Sequence, residues 1–205
     1  MATPVDRPKH IGILLFPDVE ELDAVGPWEV LAFWTHHFPG DGYTVGCLSR
    51  DGAPVPAAKG LGIEAHYSFE DAPPFEVLIH PGGQGTRPQL EDAEHLNWVR
   101  RQREMVPIMA SVCTGALVFA AAGLLSGRPA TTHWASLTHL GELDPSIDVR
   151  AEARFVDDGD VITSAGVSAG IDMALHLVAR LAAPDRAEGV RRGIDYERSP
   201  LSQGG

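Results

Sequence analysis

Short apolar runs alternate along this chain with longer stretches of mixed polarity. Residues 11–16 (IGILLF), 43–49 (YTVGCLS), 76–80 (EVLIH) and 107–112 (PIMASV) are apolar at almost every position. That is the pattern of strands buried on both faces. Between them, residues 28–34 (WEVLAFW) read as helix. Residues 87–104 place Leu90, Ala93, Leu96 and Val99 on one stripe among charges, an amphipathic helix. Residues 114–125 form an Ala/Leu-rich helix, and 133–143 are a further helical stretch. Residues 170–182 carry Ile171, Ala174, Leu175, Leu177, Val178 and Leu181 at helical spacing, and 186–193 read as a last short helix. Two smaller β features are expected: a short strand over 62–66, and a hairpin of 150–155 with 161–164 around the turn Asp157-Asp158-Gly159-Asp160. Strands alternating with helices predict an α/β fold, a mostly parallel sheet with helices on both faces. The division expected is a polar arm over 1–9, one domain over 10–196 and a polar tail over 197–205. Sheets of this kind bind ligands at the carboxyl ends of their strands, so the loops after each strand are where chemistry is expected.

Composition narrows the partners. The 205 residues are 44% hydrophobic and 21% charged, an ordinary globular mix. Lys and Arg number 16 against 28 Asp and Glu, a formal net charge of −12. So acidic a surface repels phosphate backbones and anionic lipid, which argues against nucleic acid and membrane partners. No apolar run approaches the ~20 residues of a bilayer span. The start, MATPVDRPKH, lacks the apolar segment of a signal peptide. With only Cys47 and Cys113 there is no disulfide framework, so the expected compartment is the cytoplasm and both thiols are expected reduced. No His, Cys, Asp or Glu set has zinc-ligand spacing, and neither a metal nor a cofactor is expected.

Cys113 stands where a strand meets a helix, between Ser111-Val112 and Thr114-Gly115. Such a junction can form a nucleophile elbow, with Cys where hydrolases put Ser. Backbone N–H groups at the helix start are expected to lower the thiol pKa and to bind charge developing on a substrate. Cys47, in mid-strand, reads as structural. Asp23 lies in the loop after the first strand, flanked by Leu22, Ala24, Val25 and Gly26. It reads either as a helix cap or as a partly buried carboxyl able to trade a proton with a thiol. Gly82 and Gly83, in Pro81-Gly82-Gly83-Gln84-Gly85, can present backbone N–H groups to an oxyanion; the plain alternative is a tight turn. His133, Trp134 and His80 are weaker candidates for lining the same cavity, since a buried His is ordinarily a core residue.

Four stretches in this order carry a resemblance: FPDVEELDAVGPWEVL, HPGGQG, SVCTGALVFAAAGLLSGRPATTHWA and ITSAGVSAGIDMALHLVARL. Together they resemble the ThiJ/PfpI superfamily, part of the class I glutamine amidotransferase-like fold. LDAVGPWEV and SVCTGALVFAAAGLLSGRPATTHW are similar to the patterns of bacterial isocyanide hydratases. The resemblance implies a flavodoxin-like three-layer sandwich that forms a homodimer, with the site near the dimer interface. It implies Cys113 as nucleophile and Asp23 as its acidic partner. The redox-protective and deglycase branches usually carry Glu at the position of Asp23. Peptidases and amidotransferases usually place His after the Cys or in a triad, where Thr114 stands here. The sensor domains of AraC-type regulators share SVCTG and ATTHW but continue into a helix-turn-helix domain. His80 departs from the superfamily, which mostly has a small or aliphatic residue there.

The implied activity is hydration of an isocyanide, a small-molecule substrate, through a Cys113 thioimidate. Asp23 would be acid and base, Thr114 would hydrogen-bond near Asp23, and the N–H groups of Gly83 and Thr114 would stabilise the adduct. The alternatives are glyoxalase or deglycase action on reactive dicarbonyls, and a non-enzymatic sensor or redox protein using Cys113.

Overall fold

A computed structural model of the chain describes residues 8–197. The arm and tail expected over 1–9 and 197–205 therefore lie, apart from residues 8, 9 and 197, outside the described residues. The elements in order are β1 (Lys9–Leu14), α1 (Glu21–His37), β2 (Tyr43–Leu48), β3 (Val55–Pro56), β4 (Gly62–Ile63), β5 (Phe75–His80), α2 (Thr86–Gln89), α3 (Ala93–Met105), β6 (Ile108–Val112), α4 (Gly115–Ala121), β7 (Pro129–Ala130), α5 (Leu137–Leu143), β8 (Asp148–Val149), β9 (Phe155–Asp157), β10 (Val161–Ser164), α6 (Ala169–Leu181) and α7 (Pro184–Gly193).

The main sheet runs β2-β1-β5-β6-β10-β9. Every pairing in it is parallel except β10 with β9, a hairpin as expected but with its first strand at Phe155–Asp157 rather than over 150–155, so that Asp157 pairs with Ile162 instead of lying in the turn. Counting only the parallel strands, the order is the 2-1-3-4-5 of a flavodoxin-like sheet, whose switch point lies between β1 and β5. Helices α1, α6 and α7 pack together on one side, and α2 to α5 form the other layer. Ile11, Ile13, Val77, Ile79, Met109, Ala110 and Ile162 are essentially sealed from solvent, so the inner strands are apolar on both faces, as parallel sheets require. No helix among the described residues is long and apolar enough to cross a membrane.

Two helices differ from the sequence reading in ways that matter to the site. The stretch expected to be a loop over 17–27 is mostly helix, because α1 begins at Glu21 and contains Pro27. An internal proline costs a helix ~3 kcal/mol. Here packing against α6 outweighs that cost: Pro27 and Val112 both close on Gly170, where an added Cβ would sit 3.3 Å and 3.1 Å from them. The helix expected over 87–104 is divided into α2 and α3. The Asp92 side chain accepts from the N–H groups of Glu94 and His95 and so starts a new helix.

Candidate functional site

Three strand ends converge near the switch point, and each carries a candidate residue. Asp23 sits in the first turn of α1, after β1; Gly82 and Gly83 follow β5; Cys113 follows β6. Cys113 has φ 56°, a left-handed conformation unusual for a residue with a Cβ. The surroundings hold it there. Its N–H points at the carbonyls of Ser164 and Ala165 (3.1 and 3.2 Å), and its own carbonyl accepts from the Thr132 hydroxyl at 2.7 Å. This is the expected elbow. Gly115 makes it possible: a Cβ there would lie 2.2 Å from the His80 carbonyl oxygen and 2.8 Å from that of Pro81. Both neighbours are backbone and cannot swing aside. Gly115→Ala is therefore expected to lower stability by about 1–3 kcal/mol or more, read as a drop in Tm.

Asp23 is fully buried. Its Oδ2 accepts from the Gly82 N–H at 3.0 Å, and its Oδ1 has no hydrogen-bond partner of ordinary geometry among the described residues. Burial pushes its pKa up from 3.8 to about 7, against the opposing pull of the Gly82 N–H, the Cys113 thiol and the Val167 N–H. Asp23 is not a helix cap, since Glu20 holds that position.

The Cys113 thiol is also pushed up, to about 12, first by burial and then by the charge of Asp23. The N–H groups of Thr114 and Val167 work in the other direction and lose. The lowered thiol pKa expected from a helix start is thus reversed in this chain. Cys113 precedes a helix of only seven residues, and it is buried beside a carboxylate. Thiol and carboxyl form one coupled pair that holds a proton at neutral pH.

The two glycines and the Thr114 hydroxyl take roles other than those expected, while the Thr114 N–H keeps its own. The Gly82 N–H is engaged with Asp23, and the Gly83 N–H donates to Thr114 Oγ1 at 3.0 Å. Neither is therefore available to an oxyanion. Thr114 does not bond Asp23; its hydroxyl lies 3.1 Å from that of Thr86, which donates to the Gly83 carbonyl at 2.8 Å. The loop is built to hold Asp23 and the elbow together. A Cβ on Gly82 would stand 2.7 Å from Thr114 Oγ1 and 2.8 Å from Asp23 Oδ2, so only glycine fits between them. The N–H groups facing the thiol belong to Thr114 and Val167.

Val167 is the residue that reading by side-chain type misses. It is β-branched, it has φ 50°, and its contribution is a backbone N–H aimed at the pair. Such outliers persist only where the surroundings enforce them. His133 packs its ring on Gly166, next to Val167, and accepts from the Ala135 N–H at 3.3 Å. Trp134 is 77% exposed. His80 is buried and pairs with His95 rather than with Cys113. Cys47 is buried in β2. Among the described residues no group of three or more His, Cys, Asp or Glu is arranged to hold a metal ion.

A model of the DJ-1/PfpI family matches residues 9–180. Isonitrile hydratase of Pseudomonas putida is 39% identical over 192 residues, which cover 93% of this chain and 80% of that protein. The HTH-type transcriptional regulator CdhR of Pseudomonas aeruginosa is 33% identical, over 85% of this chain and 51% of the regulator, so the chain spans about half the length of that relative. Among solved structures, a ThiJ/PfpI family protein from Pseudomonas syringae superposes with a TM-score of 0.83 at 32% identity, covering 97% of this chain and 79% of that one.

Proposed function

Taking as premise that this chain belongs to the DJ-1/PfpI family, we propose that it hydrates isocyanides, converting R–N≡C and water into an N-substituted formamide. The observation that carries this reading is the buried pair itself, a carboxyl pushed up to about 7 beside the thiol of an elbow cysteine. The terminal carbon of an isocyanide must gain both a nucleophile and a proton. A single acid and base poised near neutral pH beside a thiol meets that need.

The steps balance as follows. Asp23 takes the thiol proton as the sulfur attacks the terminal carbon, forming a C–S bond. Asp23 then returns the proton to the same carbon, giving the thioimidate R–N=CH–S–Cys113. A water, deprotonated by Asp23, adds to that carbon, and the nitrogen receives the proton. The C–S bond breaks, releasing R–NH–CHO and a thiolate, which recovers a proton from the new hydroxyl group. The N–H groups of Thr114 and Val167 stabilise sulfur while it carries charge. A homodimer, with Cys113 near its interface, is part of the same proposal.

The similarity to a transcriptional regulator supports a second reading, a ligand sensor that does no chemistry. Formamide production from several alkyl and aryl isocyanides separates the two. Turnover supports the hydratase, and its absence across the panel removes that reading.

A further inference from the structure

A cavity of about 550 Å³ adjoins the glycine loop, and neither Cys113 nor Asp23 lines it. Gln84 and Gly85 border it, whereas Gly82 and Gly83 are turned to Asp23 and Thr114. Leu15, Phe16, Val55 and Phe69 give it apolar walls. Gln89, at the end of α2, lines it while only 9% exposed, and its Oε1 has no hydrogen-bond partner among the described residues. A buried acceptor left unpaired is costly and rare in folded proteins.

His95, 3% exposed, is a second polar residue of the wall. Its Nε2 lies 3.1 Å from Nε2 of His80, whose Nδ1 lies 2.8 Å from the Pro81 carbonyl. A carbonyl only accepts, so His80 carries its proton on Nδ1, and His95 must donate from Nε2. That leaves Nδ1 of His95 as a bare acceptor. Burial, which pushes His80 down to about 3 and His95 to about 4, keeps both rings neutral. Asp18, Asp51 and Asp92 are also among the lining residues. Arg50, the cation among the lining residues, is already paired with Asp92 and Glu94. Acceptors and negative charge predominate, which disfavours an anionic occupant.

We propose that this cavity binds a small neutral molecule with an apolar body and an N–H donor, a secondary amide, whose N–H pairs with Gln89. A secondary amide offers both N–H and C=O, so it matches the Gln89 carboxamide through either end. The proposal does not rest on the chemistry at Cys113. A hydrogen-bonded path nonetheless joins the cavity wall to Asp23. His95 leads through His80 to Pro81, and the next N–H, that of Gly82, holds Asp23.

The test is calorimetric titration of the full chain with N-benzylacetamide, N-benzyl-N-methylacetamide and phenylacetate. N-benzylacetamide is expected to bind saturably. The N-methylated probe and the anion should each bind at least about tenfold more weakly, because neither has an N–H to donate and so each leaves the Gln89 Oε1 unpaired. Gln89→Leu, which keeps the volume and removes the acceptor, should weaken N-benzylacetamide at least about tenfold, and Cys113→Ala should leave it unchanged. Should Gln89→Leu fail to fold, the comparison of probes on the unaltered chain decides the matter. No saturable binding, equal affinity for the N-methylated probe, an unaffected Gln89→Leu protein or binding lost in Cys113→Ala would each overturn the proposal. None of these outcomes depends on isocyanide turnover.

Discussion

Cys113→Ala is expected to reduce isocyanide turnover by at least about 10⁴-fold, as removal of a covalent nucleophile does elsewhere. With the sulfur gone, water activated by Asp23 must attack the isocyanide carbon directly, and the reaction loses its thioimidate. The fold should survive. Cys113 is only 6% exposed, but alanine removes a single atom and tolerates φ 56° no worse than cysteine does. Cys113→Ser should remain far below wild type, because a hydroxyl gives up its proton much less readily than a thiol. Formamide formation, followed alongside circular dichroism, checks both variants. A folded Cys113→Ala protein within tenfold of wild-type rate would remove the sulfur from the mechanism.

Asp23→Asn is expected to cost at least about a hundredfold in turnover, the low end of what general acid and base catalysis contributes. Asn keeps the shape and can still accept from the Gly82 N–H, but it carries no acidic proton. The pH profile adds a second signature. Because Asp23 must begin as carboxylate to take the thiol proton, kcat/KM should rise with pH and level off above about 7. The Asn variant should lack that rise. Stability should move the other way. Below about pH 4 the carboxyl is neutral in both the folded and the unfolded chain and costs nothing. Between 3.8 and about 7 the unfolded chain ionises first, so the fold loses stability as pH rises. Above 7 the loss is complete, on the order of 4 kcal/mol. Asp23→Asn should therefore have a higher Tm than wild type at pH 8, with the difference closing by pH 4. A fully active variant, or one whose Tm tracks wild type at every pH, would show that Asp23 carries no such burden. Asp23→Glu keeps the acid but displaces it by about one methylene, and misplacement by about 1 Å can cost roughly 10² in rate.

The strands, their parallel pairing and the elbow were readable in the chain because each rests on local pattern. Apolar runs cannot be satisfied except in a covered sheet, and Val112-Cys113-Thr114-Gly115 joins a strand to a helix with no room for a longer loop. The start of α1 was not readable, because Pro27 is ordinarily a first-turn residue and the packing of α1 on α6, with Pro27 against Gly170, joins segments far apart in the chain. The glycine pair was seen, but its use was not: whether Gly82 and Gly83 offer their N–H groups to a substrate or to Asp23 and Thr114 depends on contacts across 59 and 31 positions. Val167 acts through its backbone, to which residue type gives no clue. His80 was singled out as a departure from its relatives, yet its partner His95 lies on a different element and has no motif of its own.

Pro27 has one more consequence, and it concerns movement. An α-helix ties each N–H to the carbonyl four residues earlier, and proline has no N–H to give. In α1 the bond that Pro27 cannot make is the one that would end on the carbonyl of Asp23 itself. The first turn of α1, with the carboxyl on it, is thus coupled more loosely to the rest of the helix than its place in a regular element implies. Proline is among the recognised causes of helix kinks. Meanwhile the thiol opposite is clamped at its own N–H and carbonyl. Of the two members of the pair, the acid stands on the joint and the sulfur on the anvil, so small adjustments of their separation during a catalytic cycle would come from α1.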